Sequence, residues 1–559
     1  MTVQYIVNVV YLSPLAFLAT ALLSYFQPGL RPKHVKSIAT AATIFSILIA
    51  AISGVFISQH PLIESTFFGY KQLGLSLRLD SVSVLMFSMI ALLSFIILRF
   101  SKNYLDGDVR QGAFIGRLAA TIAAVQLLVL SGNLALLLLA WVFTSISLHR
   151  LLVFYHERPG AIIAARKKFL VARLGDVSLL GALIALYLHF DTGNLEVIFQ
   201  QLKITSTSGF TSSNLEVAAI LLVIAALLKS AQFPTHGWLI EVMETPTPVS
   251  ALLHAGLLNA GPFLIIRMAY VIESSAFAPL ALIAIGGFTA LFASVAFLTQ
   301  TSVKTALAYS SIAHMGFSLM TCGMGVYSAA MLHLVAHSFY KAHSFLSSGS
   351  AIDIIRAAKV SDAIQTKNPF RIVLGILLGL GVYAGSALLW GINSENETAL
   401  LGIGSIIALG LSRLFTSALD SSGGIKLLFH AALLSLLVAL AFFTLEAGSH
   451  ELLSAQLPEL SKPNFSTLAL MVIVLIAFAA TVFIQIIAPS QTSSFFFKAL
   501  AIHFRNGFYL NTLFDNTVRA LYTYGSEKKP AVVNSSECFE KNTLTRTVQL
   551  ENQPIAAKN

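Results

Sequence analysis

The chain has 559 residues, of which 56% are hydrophobic and 11% are charged, whereas about 25% of the residues in an ordinary soluble domain carry a charge. A water-soluble globule cannot bury this much apolar surface. The composition therefore excludes a soluble enzyme, a disordered chain and a nucleic-acid-binding protein, even though the net charge is +10. The two cysteines, Cys322 and Cys538, are too few for a disulfide framework or a cysteine-rich metal site.

Apolar runs between charged breaks predict fifteen transmembrane helices, because a helix needs roughly 20 apolar residues to cross about 30 Å of hydrocarbon. The predicted fold class is therefore an all-α polytopic membrane protein. The runs are 5–26, 38–57, 81–98, 118–131, 134–153, 169–190, 215–233, 247–272, 279–298, 303–323, 327–350, 370–390, 399–419, 427–445 and 465–489.

Lys and Arg are concentrated in every second segment between these runs. The segments on one side hold 26 Lys and Arg residues, and those on the other side hold four. Cytoplasmic segments of membrane proteins carry an excess of Lys and Arg. The alternation therefore predicts an N-terminus outside the cell and a C-terminus in the cytoplasm.

Ionisable residues inside the predicted spans are of special interest, because each one is costly in hydrocarbon and needs a partner, a water path or a function. In chain order, the first such pair is Arg173 and Asp176. They are three residues apart on one predicted helix and can pair with each other. We interpret them as a structural ion pair.

Lys229 ends the apolar run AAILLVIAALLK, five residues before Pro234. Proline cannot donate to the helix ladder, and helices broken within a membrane usually line a polar cavity. A lysine there loses the hydration that stabilises its charge, so it can exchange protons. The alternative is a lysine that extends from the end of the span to the membrane surface.

A second proline cluster, TPTPVSALLHAG, predicts a helix that begins at Pro246 or Pro248. His254 lies one to two turns inside it. This histidine either belongs to a proton path or donates a hydrogen bond between helices.

The segment MLHLVAHSFYKAHSFLSSGS places His333, His337 and Lys341 at positions i, i+4 and i+8, which is one stripe of a helix. Three alternatives are open: a proton relay, a metal site and structural polar contacts. The lysine would repel a cation and the span has no carboxylate, so the pattern favours the relay. His314, on the preceding span, either extends the path or only packs.

Two further arginines fall in or near spans. Arg267 is predicted close to the outer surface and has no assigned role. Arg413 lies two-thirds along its span and must have a partner or water. Beyond the last span, residues 495–521 mix aromatic and basic side chains, which is typical either of a protein interface or of a helix lying along the inner membrane surface.

Four segments resemble the antiporter-like subunits of respiratory complex I and of Mrp sodium/proton antiporters. They are RLDSVSVLMFSMI, LKSAQFPTHGWLIEVMETPTPVSALLHAG, QTSVKTALAYSSIAHMGF and HLVAHSFYKAHSFLSSGS. The resemblance implies two inverted five-helix repeats with broken helices, and a proton path through five residues. Those residues are Lys229, His254, His333, His337 and Lys341.

On this resemblance we expect five parts in the chain: a three-helix segment, two antiporter-like repeats, a two-helix segment and a partly disordered cytoplasmic tail. Their ranges are 1–117, 118–272, 279–419, 427–489 and 490–559.

The sequence departs from the family pattern at two places. The family usually has a Trp-Glu pair on the second helix of the first repeat, whereas Val142 follows Trp141 here, so the carboxylate partner of the lysine is missing. In the second repeat, the string AGSALLWGINSENE puts Glu395 at the usual lysine position and lacks the prolines. We therefore expect different chemistry in the second half, with Glu395 as a further candidate for the path.

The strings LHRLLVFYHERPGAIIAARKKFLVARLGD and HFRNGFYLNTLFDNTVRAL resemble the DabB family, the membrane subunits of a bacterial inorganic-carbon pump. This resemblance implies an inner-membrane subunit that conducts cations, with protons favoured, and is not itself an enzyme. A DabA-like, zinc carbonic-anhydrase-like partner on the cytoplasmic side would hydrate CO2. We expect no metal or cofactor in this chain. The alternatives are a proton-pumping subunit of an NADH-quinone oxidoreductase-like complex, an Mrp-type antiporter and a scaffold.

Overall fold

The computed structural model describes residues 7–205, 212–242, 245–349, 368–392, 397–420, 424–460, 462–487 and 494–523. Four helices form the N-terminal part. They are α1 (Leu12–Leu23), α2 (Lys33–Gln59), α3 (Ser81–Tyr104) and α4 (Gln111–Val129). A 3-10 turn, Val9–Tyr11, precedes α1.

Eight helices follow, several of them short. They are α5 (Leu134–Leu152), α6 (Pro159–Phe190), α7 (Leu195–Thr205), α8 (Ser213–Lys229), α9 (Gly237–Glu241), α10 (Thr247–Leu252), α11 (Ala260–Arg267) and α12 (Ala269–Glu273). A π-helical turn, Leu253–Leu257, joins α10 to α11.

The remaining helices are mostly long. They are α13 (Ala278–Thr299), α14 (Val303–Gly323), α15 (Tyr327–Leu346), α16 (Pro369–Trp390), α17 (Thr398–Asp420), α18 (Gly424–Leu453), α19 (Phe465–Ile487), α20 (Phe495–Arg505) and α21 (Leu510–Thr523). A 3-10 turn, Gly507–Tyr509, lies between α20 and α21. Met1–Asn511 form one compact unit, and Thr512–Asn559 form a second. The division into two repeats stays a prediction.

The predicted fold class is confirmed, but the count of fifteen spans is not. Among the described residues, eleven helices are long and apolar enough to cross a membrane: α2 to α6, the continuous run from α10 through α11, α13 and α16 to α19. The other four predicted runs also contain helices. Of these, α1 and α8 are shorter than 18 residues, and α14 and α15 are more polar.

Two helices begin well before the apolar runs that predict them. The run at 118–131 lies in α4, which starts at Gln111, and the run at 169–190 lies in α6, which starts at Pro159. Proline favours the first turn of a helix, where its missing N–H costs nothing. The connection between the runs 134–153 and 169–190 is therefore helical in its second half, where Lys167 and Lys168 are buried.

Four short strands, which the sequence pattern does not predict, lie between α2 and α3. Leu62–Glu64 pairs antiparallel with Arg78–Asp80, and Phe68–Tyr70 pairs antiparallel with Leu73–Leu75. They mark one face of the helical bundle, which we call the strand face. The loop after α18 reaches the same face, because Gln456 Nε2 donates to the Pro61 carbonyl over 2.9 Å.

A buried charge cluster ties the strand face to the bundle. Arg267 donates to both oxygens of Asp80, at 2.5 and 3.1 Å, and Arg78 Nε donates to Asp80 Oδ2 at 2.6 Å. Asp80 also caps α3 by accepting from the Ser83 N–H. Burial opposes ionisation of Asp80, but the charges and hydrogen bonds of Arg267 and Arg78 hold its pKa well below the usual value. Arg267, to which the sequence pattern assigns no role, therefore holds the strand face to the bundle.

The other end of the bundle holds residues from the chain's C-terminal part. Lys167 Nζ lies 2.5 Å from Glu241 Oε1 and 2.9 Å from Asn511 Oδ1. The rings of Phe504 and Phe508 each lie 6.0 Å from the ring of Phe292 on α13. The first part of the predicted interfacial segment, 495–511, therefore packs on the bundle.

Candidate functional site

Lys229 is the last residue of α8, where the helix breaks. The chain leaves helical geometry at Ala231, whose φ is +52°, an unusual value for a residue with a side chain. Pro234 lies in the connection, and helix resumes at Gly237. The break leaves the Lys229 side chain at the end of the first segment, facing α5.

Three oxygens of α5 surround the Lys229 ammonium group. Its Nζ lies 2.8 Å from Thr144 Oγ1, 2.9 Å from Ser145 Oγ and 3.2 Å from the carbonyl oxygen of Trp141. The Trp141 ring centre lies 4.3 Å away, a cation–π distance. All of these partners are neutral, so the contacts solvate the charge without neutralising it.

Charged groups of α6 lie next to this position. Lys168 is buried, and its Nζ donates to the Ser145 carbonyl at 2.6 Å. Arg173 Nη2 lies 2.6 Å from Asp176 Oδ2, and Asp176 also attracts Lys229 electrostatically. A carboxylate from α6 is therefore near Lys229, although the neighbouring position on α5 is Val142.

A small cavity separates Lys229 from Lys168. Its volume is about 20 Å³, and its wall includes Thr144 and Ser145. A cavity of this size holds one water molecule when polar groups line it. Most of the other side chains that line it are apolar, so it offers a bridging water few hydrogen-bond partners.

The helix from α10 to α11 packs closely on the break. Ser230 Oγ donates to the Leu258 carbonyl at 3.1 Å. A Cβ atom on Gly261 would lie 2.0 Å from Ser230 Oγ and 2.5 Å from the Ala226 carbonyl oxygen. Only glycine allows this approach, so Gly261 sets the distance between α8 and α11.

His254 lies in the π-helical turn of the same span and is fully buried. π-helical turns are rare and frequently occur at functional sites. The His254 ring stacks on Phe345 of α15, with ring centres 4.3 Å apart. Neither of its ring nitrogens has a hydrogen-bond partner among the described residues.

Three histidines meet between α14 and α15. His314 Nδ1 lies 3.2 Å from His333 Nε2, which is hydrogen-bond distance. The ring of His337 lies 4.9 Å from that of His314 and 6.0 Å from that of His333, measured between centres. The sequence pattern left the role of His314 open. In the structure, its ring on α14 lies beside the rings of His333 and His337 on α15.

Lys341 continues the stripe one turn beyond His337. It is fully buried. Its Nζ lies 2.7 Å from Ser310 Oγ and 3.3 Å from the Leu307 carbonyl oxygen. Like Lys229, it is surrounded by neutral oxygens rather than by a carboxylate.

Asn259 connects the His254 span to the histidine helix. Its Nδ2 donates to Ser338 Oγ at 2.6 Å and to the Ala255 carbonyl at 2.9 Å. The α10–α11 span therefore contacts the Lys229 break on one side, through Ser230, and α15 on the other side, through Ser338. The five residues that the resemblance implies thus fall into two clusters joined by one span.

Sequence reasoning missed Lys168 and Asn259. The spacing of Lys168 and Asp176, i and i+8, is the same one that marks His333 and Lys341. This spacing did not indicate a site, because the run Arg166-Lys167-Lys168 has the composition of a loop. No spacing pattern in the sequence indicates Asn259, which is a single amide in an apolar stretch.

Two further predicted residues lie elsewhere. Arg413 is exposed on α17, and no hydrogen bond or ion pair reaches it in the described part of the chain. The expectation that it has a partner or water stays a prediction. Glu395 lies outside the described residues. The described ranges contain no group of three or more His, Cys, Asp or Glu that could hold a metal ion.

Known proteins resemble this chain over most of its length. The family described as NADH:quinone oxidoreductase/Mrp antiporter matches residues 131–384, and that of the complex I chain 5 N-terminus matches residues 67–115. In the structure of the Mrp complex from Dietzia sp. DQ12-45-1b, one chain shares the fold. Its TM-score is 0.55 at 21% identity, over 98% of this chain and 60% of that one.

Several relatives share a higher sequence identity with this chain than that structure does. The probable inorganic carbon transporter subunit DabB2 of Halothiobacillus neapolitanus is 37% identical over 474 residues, which are 83% of this chain and 84% of that protein. The corresponding DabB subunit of Hydrogenovibrio crunogenus is 40% identical over 323 residues, which are 57% of this chain and 62% of that protein. These relatives are transport subunits rather than enzymes. The chain therefore belongs to the NADH:quinone oxidoreductase/Mrp antiporter family of membrane proteins and, within it, to the DabB subunits.

Proposed function

We propose that this chain is the proton-conducting membrane subunit of an energy-coupled inorganic-carbon uptake complex. Two of its relatives are named probable inorganic carbon transporter subunits. The observation that carries the proposal is the line from the half-buried His333 and His314 through the buried His337 to the buried Lys341. Each of these side chains can bind and release a proton without leaving its place.

The chemistry of the path favours protons over sodium. Hard metal cations prefer several oxygen ligands, often carboxylates, whereas the line consists of nitrogen bases. The ring nitrogens of His254 and His337 have no partner in the described part of the chain. Buried polar groups are normally satisfied, so we infer that water molecules fill these positions and complete the path.

We propose that the two clusters act in series. The Lys229 cluster and the histidine line both contact the α10–α11 span, through Ser230 and Asn259. His254 lies on the same span, one turn before Leu258 and Asn259, which make the two contacts. A change of charge in one cluster can therefore change the proton affinity of the other cluster through His254.

The driving force is sufficient for the proposed coupling. One charge that moves through a membrane potential of about 180 mV releases roughly 4 kcal/mol, which shifts an equilibrium several hundred-fold. We propose that a DabA-like partner on the cytoplasmic side uses this energy to hydrate CO2 in one direction. Its zinc would generate the attacking hydroxide, and this chain would contribute the proton movement.

A collapsed proton gradient should stop carbon uptake. In cells that depend on the complex for growth at air levels of CO2, a protonophore is expected to abolish bicarbonate accumulation at constant external sodium. Removal of sodium should leave accumulation unchanged. The reverse pattern would assign the path to sodium, and quinone-dependent proton pumping would assign the chain to a redox complex.

The exposed end of α20 is the proposed docking site for the partner. Phe495 and Phe496 are 85% and 66% exposed, whereas Phe504 contacts Phe292. Replacement of both exposed residues by serine should release the partner during purification and leave the melting temperature of the subunit unchanged. The zinc that co-purifies with the subunit measures how much partner is retained. Phe504→Ser is the contrasting variant, because it perturbs the packing of α20 on α13. If zinc is retained by the double variant, α20 lies along the membrane instead.

A further inference from the structure

A large cavity opens on the strand face beside the histidine helix. Its volume is about 640 Å³, far more than one water molecule needs. It lies between the start of α15, the end of α16 and the end of α18. Its polar lining residues include Ser328, Glu397, Glu446, His450, Glu451 and Glu459.

Glu446 forms the inner wall of this cavity. It precedes Leu453, the last residue of α18, by seven positions, which is about 10 Å along the helix. It is 9% exposed, whereas Glu451 and Glu459 are exposed at the rim. No Lys or Arg pairs with Glu446 among the described residues. A carboxylate placed inside a membrane helix without a cation is costly and usually functional.

Glu446 is hydrogen-bonded to the helix that carries the histidines. Ser328 Oγ donates to Glu446 Oε1 at 2.7 Å, and Ser449 Oγ donates to the Ser328 carbonyl at 3.0 Å. Ser328 is the second residue of α15, and His333 follows five residues later, about 7.5 Å along the axis and about 140° around it. A hydroxyl group both donates and accepts hydrogen bonds, so Ser328 can connect the carboxylate to water near His333.

Beyond α15, no other carboxylate or lysine is buried in the described part of the chain. Helices α16 and α17 run without a break over Pro369–Trp390 and Thr398–Asp420. The position that the family resemblance gives to a lysine, Glu395, lies outside the described residues. Glu446 is therefore the buried ionisable group that lies between an open cavity and the histidine line.

We propose that Glu446 is the loading carboxylate through which protons enter the histidine line from the strand face. Its ionised carboxylate takes a proton from a hydronium ion or water in the cavity. The proton then passes by way of Ser328 and water to His333, and the carboxylate is regenerated. The inference rests on the proposed proton conduction, and it adds the point of entry and the residue that binds the proton there.

The alternative is a purely structural hydrogen bond between α15 and α18. Glu446→Gln separates the two roles, because the amide oxygen still accepts from Ser328 Oγ while the side chain can no longer take up a proton. Glu446→Asp keeps the acid and shortens the side chain. Asp191→Asn is the matched control: Asp191 is an exposed carboxylate at the C-terminal end of α6 with a φ of +51°, a conformation that asparagine tolerates.

The test measures proton entry in right-side-out membrane vesicles that contain the whole complex, with an internal pH-sensitive dye and an acid pulse outside. Glu446→Gln is expected to slow proton entry about tenfold or more with an unchanged melting temperature. Glu446→Asp should restore part of the rate, and Asp191→Asn should match wild type.

The outcomes separate this inference from the proposed function. If wild type conducts protons and Glu446→Gln conducts them equally fast, protons enter elsewhere and Glu446 is structural. If Glu446→Gln is slow only because its melting temperature falls, the carboxylate is again structural. If wild type conducts no protons, the proposed function fails and the entry site fails with it.

Discussion

Lys229→Ala is expected to abolish proton conduction while the protein still inserts and folds. The substitution makes the end of α8 more apolar, so insertion is not impaired. It removes the ammonium group that the three oxygens of Trp141, Thr144 and Ser145 surround. Positioned proton-transfer groups contribute about a hundredfold or more to a rate. Proton flux in vesicles that hold the complex should therefore fall by at least that factor.

Lys229→Arg tests what the lysine does. Arginine keeps the positive charge but does not release its proton in proteins. If Lys229 exchanges protons, the arginine variant should be as inactive as the alanine variant. Conduction by Lys229→Arg at the wild-type rate would show that only a fixed charge is needed there. Lys341→Ala should lose flux in the same way, whereas Lys203→Ala, an exposed lysine on α7, should not.

Asp80→Ala is expected to destabilise the subunit by about 3–5 kcal/mol, the usual cost of removing one partner from a buried ion pair. The substitution leaves Arg78 and Arg267, which are 2% and 5% exposed, without their shared carboxylate. It also removes the cap of α3. The melting temperature of the purified subunit, followed by tryptophan fluorescence, should fall sharply.

The matched control for Asp80 is Asp106→Ala. Asp106 also contacts two cations, Arg31 at 3.5 Å and Lys36 at 3.4 Å, but these pairs are largely exposed. Exposed pairs contribute about 1 kcal/mol or less. Equal losses of stability in the two variants would contradict the view that burial makes the Asp80 cluster important.

The class of fold and one helix of the candidate site could be predicted from the sequence. Composition requires a membrane protein, because the apolar residues outnumber what a soluble core can hide. The stripe of His333, His337 and Lys341 follows from helical periodicity, which acts over four to eight residues within one element. Pro234 indicates where α8 is interrupted, because proline removes a helix donor.

Prediction failed where polar residues interrupt an apolar pattern. Lys167 and Lys168 were assigned to a loop, yet they lie inside α6 because Glu241, Asn511 and the Ser145 carbonyl accept from them. Arg267 has no assigned role in the sequence pattern, because its partner Asp80 is distant along the chain. Each of these partners comes from another element, so hydropathy along the chain cannot reveal it.

The sequence by itself thus determined the membrane class, the broken helix and the order of the bases along α15, since these depend on composition and on contacts within one helix. The tertiary structure decided which groups face one another. It placed Lys229 against Thr144 and Ser145, Arg267 against Asp80 across 187 positions, and Glu446 against Ser328 across 118 positions. Such pairings depend on how helices pack, and the packing is set by the whole set of side chains rather than by any local spacing.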